Sequence, residues 1–280
     1  MKKVFLFAIA AFASISMFAD NITVAKAIEI GEKLADNAET TESYVVEGYC
    51  VKLYGGYSAD YGNQTFYMDD NKDADPSLKT YKFEAYRCKI DKEVLPQSKV
   101  TVAGKIKKYV SDKGVTTIEI AQGNIVILEE GPAIEVINVA KALELGNALG
   151  DNEFTKKYYT VQGYAVTAYP PQAGKTTQTL FMADELDTFG EFEAFACDPG
   201  KDNVVEEGEF VAVTGLIQKY VKSGSDPQIE IPNGTIKKVT PSAINNVNAE
   251  AVKAMKVVED GQLYIIRNGV KYNAAGAVVK

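Results

Sequence analysis

At 280 residues with 46% hydrophobic content, the chain is long enough for roughly two domains, each with its own core. It carries 30 Lys and Arg against 38 Asp and Glu, a net charge of −8 that weighs against nucleic acid, whose phosphates need basic surface. There is no His, which excludes Ser–His and Cys–His nucleophile systems and removes the commonest zinc ligand.

The chain opens with a basic pair, Lys2 and Lys3, then an apolar run, then Ala19 before Asp20. This is the pattern of a signal peptide over residues 1–19. Loss of the two lysines would leave 28 basic residues against 38 acids, a net of −10. No later stretch is apolar for long enough to span a membrane as a helix. The expectation is an exported protein of the periplasm, cell surface or medium.

Residues 22–36, ITVAKAIEIGEKLAD, place Val24, Ala27, Ile28, Gly31, Leu34 and Ala35 at helical spacing behind Thr23, a suitable N-cap. Residues 137–149, INVAKALELGNAL, repeat the pattern. Strand patterns follow in the same order after each helix. YVVEGYCV (44–51) returns as YTVQGYAV (159–166), TFYMDD (65–70) as TLFMAD (179–184), and the segment ending at Cys88 as the one ending at Cys197. Next, VTVAGKIKKYV (100–110) returns as VAVTGLIQKYV (211–221), identical at seven of eleven positions. Residues 117–128 and 228–239 close each copy with a shared I-E-I. Period-two alternation marks half-buried strands, and the glycine inside each long strand marks a bend. Each copy is therefore predicted as a helix followed by about five strongly bent strands closing into a small barrel. The boundary falls at 129–134, EEGPAI.

The V-x-G-Y-x-V, T-[FL]-[FY]-M-x-D and V-x-V-x-G-x-I-x-K-Y-V strands resemble the first, second and fourth strands of an OB-fold. In particular they resemble OB-fold domains of exported bacterial proteins often described as nucleic-acid-binding-like. The expected fold is all-β with short helices: two tandem OB-fold-like five-stranded barrels, over 20–130 and 135–240. One departure is the short link at 89–98, where OB-folds usually carry a helix. After a linker, 241–255, residues 256–280 hold Asp260-Gly261 and Asn268-Gly269, turn pairs of a small C-terminal β-meander. That tail resembles the sorting tails of type IX secretion cargo, which implies passage through the export machinery; an edge hairpin is the plainer reading.

OB-folds take ligands on the outer face of strands two and three and the adjoining loops. The resemblance implies a face holding Tyr67 and Tyr86 in the first copy and Phe181 and Phe195 in the second. The loop at 54–64 adds Tyr54, Tyr57 and Tyr61. Aromatic faces stack on bases or sugars. The shared Lys108-Tyr109 and Lys219-Tyr220 are placed to grip a ligand backbone, or as edge lysines that block aggregation. Some of these rings instead serve the core or the contact between barrels.

Asp69, Asn71, Asp73 and Asp75 have the alternate spacing of a calcium loop. However, Ala74 replaces the turn glycine, Thr80 the closing Glu, and the second copy loses the pattern; a solvated acidic loop is the simpler reading. Gly174-Lys175-Thr176 lacks the earlier glycine of a phosphate loop and joins two strands. Cys50 and Cys88 are either a disulfide or two small buried thiols. No carboxylate pair is singled out by spacing, and neither a cofactor nor a catalytic set is implied.

The sequence therefore points to an exported, non-catalytic protein binding an extended ligand: oligosaccharide, protein or single-stranded nucleic acid, the last disfavoured by the acidity. The alternative is a structural or assembly component of the envelope or surface, acting through protein contacts.

Overall fold

A computed structural model describes residues 21–78, 83–200 and 203–241, with the backbone of 255–259, 262–267, 270–273 and 278–279. The expected signal peptide, most of the linker and both tail turn pairs lie outside the described residues. The chain forms two compact units, Met1–Thr240 and Pro241–Lys280. Among the described residues no helix is long and apolar enough to cross a membrane.

The larger unit is all-β with two short helices. Its first half runs β1 (Ile22–Thr23), α1 (Val24–Glu32), β2 (Tyr44–Leu53), β3 (Asn63–Asp69), β4 (Phe83–Lys89), β5 (Lys99–Gly104), β6 (Ile106–Val110), β7 (Thr116–Ala121) and β8 (Asn124–Glu129). β2 pairs antiparallel with β3, β3 with β4, and β4 pairs parallel with β7. β7 pairs with β6, and β5 pairs antiparallel with both β2 and β8. A bridge between Lys89 of β4 and Asn124 of β8 then returns the path, β2–β3–β4–β8–β5, to β2.

The second half runs β9 (Glu135–Asn138), α2 (Val139–Asn147), β10 (Tyr159–Tyr169), β11 (Gln178–Ala183), β12 (Phe192–Cys197), β13 (Phe210–Gly215), β14 (Gln218–Tyr220), β15 (Gln228–Pro232) and β16 (Thr235–Lys238). β10 pairs with β11, β11 with β12, β12 parallel with β15, β15 with β14, and β13 with β10 and β16. A short strand ahead of each helix, β1 or β9, adds in parallel to β2 or β10.

Two of the predicted strands are each broken in two. Residues 100–110 change partners between β5 and β6, after Gly104. A Cβ on Gly104 would lie 2.5 Å from Ile120 Cγ2, so only glycine lets the bent strand cross so near that side chain. The final strand breaks at Gln122, whose φ of 56° is left-handed, and at Gly123.

The predicted N-cap holds: Thr23 Oγ1 accepts from Lys26 N (3.2 Å); in the second half Asn138 Oδ1 accepts from Lys141 N (3.1 Å). A second acceptor comes from a distant strand. Asp70, just past β3, accepts from Val24 N (2.8 Å) and Ala25 N (2.9 Å); Asp184, past β11, accepts from Val139 N (2.8 Å) and Ala140 N (3.0 Å). The first N–H groups of a helix have no internal partner, so the aspartate of M-x-D answers a need that the helix creates.

Each half encloses its own core. Phe66, Met68, Phe83, Val102, Ile106 and Ile120 fill the first; Leu180, Met182, Phe192, Val213, Ile217 and Ile231 fill the second. The link between β4 and β5 has no helix and is held by Gln64, whose amide accepts from Val94 N (2.7 Å) and donates to Val94 O (3.1 Å). Gln178 clamps Val205 in the same way.

All three cysteines are free and buried. The alternative of a Cys50–Cys88 disulfide fails on register. Cys50 stands opposite Met68 and Cys88 opposite Gln64, on the two sides of β3. The two are two strand spacings apart, ~9.6 Å, and offset by about four residues. A disulfide needs Cα atoms within about 7 Å. In the smaller unit β17 (Met255–Glu259), β18 (Gln262–Arg267), β19 (Val270–Asn273) and β20 (Val278–Val279) pair antiparallel in sequence order.

Candidate ligand-binding faces

Strand alternation turns Tyr67 away from the core while Phe66 and Met68 point into it. Cross-strand register then builds a row across the outer face. Lys52 stands opposite Tyr67, Tyr67 opposite Glu84, Glu84 opposite Glu119, and Glu119 opposite Lys107. The second half repeats it with Thr167, Phe181, Glu193, Glu230 and Gln218. Each row therefore holds an aromatic ring followed by two neighbouring carboxylates.

The carboxylates form a floor. Glu84, Glu119 and Glu230 are buried, and Glu193 is half-buried. Burial, and secondarily the neighbouring Glu119, pushes Glu84 up to about 7. Burial, then Glu193, raises Glu230 to about 7, and burial raises Glu193. Removing a carboxylate from water disfavours its charged form, and a like charge beside it adds to the effect. Glu119 is compensated by Lys107, whose Nζ lies 3.3 Å away and 5.2 Å from the Tyr109 ring centroid.

Aromatic rings surround this floor. Tyr54 meets Tyr67 edge-on at 6.3 Å, and Tyr169 meets Phe181 at 6.2 Å. Tyr54 is 64% exposed, Tyr109 41%, Phe195 47% and Tyr220 41%. Tyr86 is half-buried with the Arg87 guanidinium 5.1 Å from its ring centroid. Burial, then Glu84 and Tyr54, holds the Tyr67 hydroxyl up at about 12, so it stays a donor. The rings expected at the site thus gather on two faces. Tyr57 and Tyr61 stay in the turn at 54–64, Tyr57 half-buried and Tyr61 exposed.

Lys108 and Lys219 do not join the rings. Lys108 pairs with Asp36 (2.8 Å) and donates to Leu34 O (3.4 Å), tying β6 to the end of α1. Lys219 pairs with Asp151 (3.4 Å). Alternation places Lys107, two residues from Tyr109, on the ring face in their stead.

The acidic loop is occupied by its own turns. Asp69 Oδ1 accepts from Asn71 N (2.8 Å), and Asn71 Oδ1 accepts from Asp73 N (3.1 Å). Asp73 accepts from Gln97, while Asp75 accepts from Ser77 and pairs with Lys156. Lys156 foremost, then Ser77, holds Asp75 down at about 2. Among the described residues no group of three or more acidic or Cys side chains is placed to hold a metal.

The two halves meet beside the first face. Tyr158 OH accepts from Leu53 N (3.0 Å), Lys156 pairs with Asp75, and Lys237 Nζ approaches Glu93 (3.7 Å). A cleft of about 730 Å³ remains between them.

Sequence reading missed Lys52, Lys107 and the four glutamates. The recurring F-E-A and I-E-I were their signal, each putting one acidic residue on the outward side of a strand. Neither a protein-family model nor a curated protein matches the chain.

Proposed function

We propose that the larger unit is a pair of tandem OB-fold barrels, 20–130 and 135–240, of an exported non-catalytic protein that binds a neutral oligosaccharide on its aromatic faces. The Lys89–Asn124 bridge between β4 and β8, which closes the first sheet on itself, and the matching Asp198–Thr235 bridge in the second half support the fold reading. The observation carrying the ligand reading is the carboxylate pair at the centre of each ring-lined face. Carboxyl groups hydrogen-bond sugar hydroxyls, and a face built on glutamates is a poor site for phosphate. Exposed Tyr and Phe rings supply the stacking surface. The signal peptide and sorting-like tail support export.

The test is a neutral glycan array beside a labelled single-stranded oligonucleotide, each at low and physiological salt. Glycan binding that is insensitive to salt and lost in Tyr67→Ala or Phe181→Ala supports the reading. Oligonucleotide binding that falls steeply with salt overturns it.

An assembly role is the second reading, favoured by β8. Among the described residues Val126 to Glu129 pair only with β5, and Val126 and Leu128 are about half exposed. An open apolar strand edge is a template for β-augmentation. Stable oligomers or co-purifying partners without glycan binding would select it.

A further inference from the structure

The two aromatic faces are built alike but are not equally enclosed. Tyr54, Tyr67 and Lys52 of the first face form one wall of the cleft between the halves. The opposite wall presents Thr176, Thr177, Thr214, Asn233 and Thr235. One end is narrowed where Gly56 meets Thr235: a Cβ on Gly56 would lie 3.1 Å from the Thr235 methyl. The other is bounded by Tyr158 on Leu53 N.

The residues that create this enclosure are those at which the second copy departs from the first. Thr40 and Thr155 are equivalent, accepting from Ile106 N and Ile217 N respectively (both 3.1 Å). On that alignment Phe154 replaces Glu39, Lys156 replaces Thr41 and Tyr158 replaces Ser43. Phe154 and Tyr158 line the cleft, and Lys156 holds Asp75. At these positions the second half carries the residues that form the interface and line the cavity beside it.

We propose that this cleft is the principal saccharide subsite, holding a short neutral segment of two to three sugars between the Tyr54–Tyr67 pair and the threonine- and asparagine-lined wall. The second face serves as an open platform for longer chains. The inference rests on the oligosaccharide reading above. A volume of about 730 Å³ lies within the usual range for small-molecule sites, ~300–1,000 Å³. A hydroxyl- and amide-rich wall opposite stacked rings suits a ligand with polar edges and apolar faces. Lys52, on the same wall as Tyr54 and Tyr67, donates to Leu78 O (2.7 Å).

The experiment is calorimetric titration of the whole protein with cello-, xylo-, manno- and malto-oligosaccharides of two to six units. Tyr54→Ala and, separately, Thr177→Trp, which fills the cleft, are each expected to weaken di- and trisaccharide binding ~10-fold or more. Tyr169→Ala, on the open second face, is expected to weaken the longest ligands more than di- and trisaccharides. Equal losses from Tyr54→Ala and Tyr169→Ala, with none from Thr177→Trp, would overturn the cleft while keeping the faces. Failure of every probe to bind the unaltered protein would overturn the oligosaccharide reading itself, and the cleft assignment with it.

Discussion

Glu84 and Glu119 are direct register partners on the parallel strands β4 and β7, so two carboxylates share one buried patch of sheet. The folded state raises Glu84 from the ordinary 4.5 to about 7, through burial first and Glu119 second. The folded protein therefore holds a proton that the unfolded chain has released between those values. Stability is greatest below about 4.5, as far as this group is concerned, and declines as pH rises towards 7. Glu84→Gln, a neutral isostere, should flatten the profile across that window and stabilise the protein at pH 8 by on the order of 2–3 kcal/mol. Urea unfolding at pH 5, 6, 7 and 8 checks this; the same slope in variant and parent would refute it.

Asp70 is the tie between the end of β3 and the start of α1, and Asp184 its counterpart on α2. Asp70→Ala removes the acceptor for two backbone N–H groups while Thr23 keeps its own bond to Lys26 N. The expected cost is ~1–2 kcal/mol of stability. Asp70→Asn, which keeps one acceptor oxygen, should cost less. Glycan affinity should not move in either variant, because Asp70 faces the helix and not the rings. Thermal unfolding beside a binding titration separates the two effects, and unaltered stability in Asp70→Ala would count against the tie.

The three thiols are predicted to be silent in the native protein. Cys88 and Cys197 are pushed up to about 12, and Cys50 is raised too, burial being the first cause in each. A thiolate is the reactive species, so an aromatic disulfide reagent at pH 8 should label less than one thiol per chain. In guanidinium without reductant it should label three. One thiol under those conditions would mean that Cys50 and Cys88 are bonded after all.

Much of the fold was legible locally. Alternation, the repeated glycines and the N-cap at Thr23 are short-range signals, and the strand bend at Gly104 followed from the glycine itself. The carboxylate pairs were not legible, because β4 and β7 are far apart in sequence and their parallel register leaves no local periodicity. Nor was the role of Asp70, whose contact with Val24 spans 46 residues. An aspartate beside Asp69 and Asn71 therefore read as part of an acidic loop. Lys108 is a different case. The shared Lys-Tyr dipeptide drew attention to it, although alternation alone puts residues i and i+2 on one face and so names Lys107.

That one-residue distinction is testable. Lys107 lies near the Tyr109 ring and neutralises Glu119, which is only 6% exposed at its side chain. Lys108 instead fastens β6 to the end of α1 through Asp36 and Leu34 O. Lys107→Met should leave Glu119 buried without its cation, so that Glu84 and Glu119 come to share a proton. The pH dependence of ligand binding should then differ from that of the parent. Lys108→Met should lower the melting temperature by a few degrees, the shift that ~1 kcal/mol produces in a domain of this size, and leave affinity and its pH profile as they were. A loss of affinity in Lys108→Met alone, with Lys107→Met neutral, would reverse the assignment and return the grip to the dipeptide lysine.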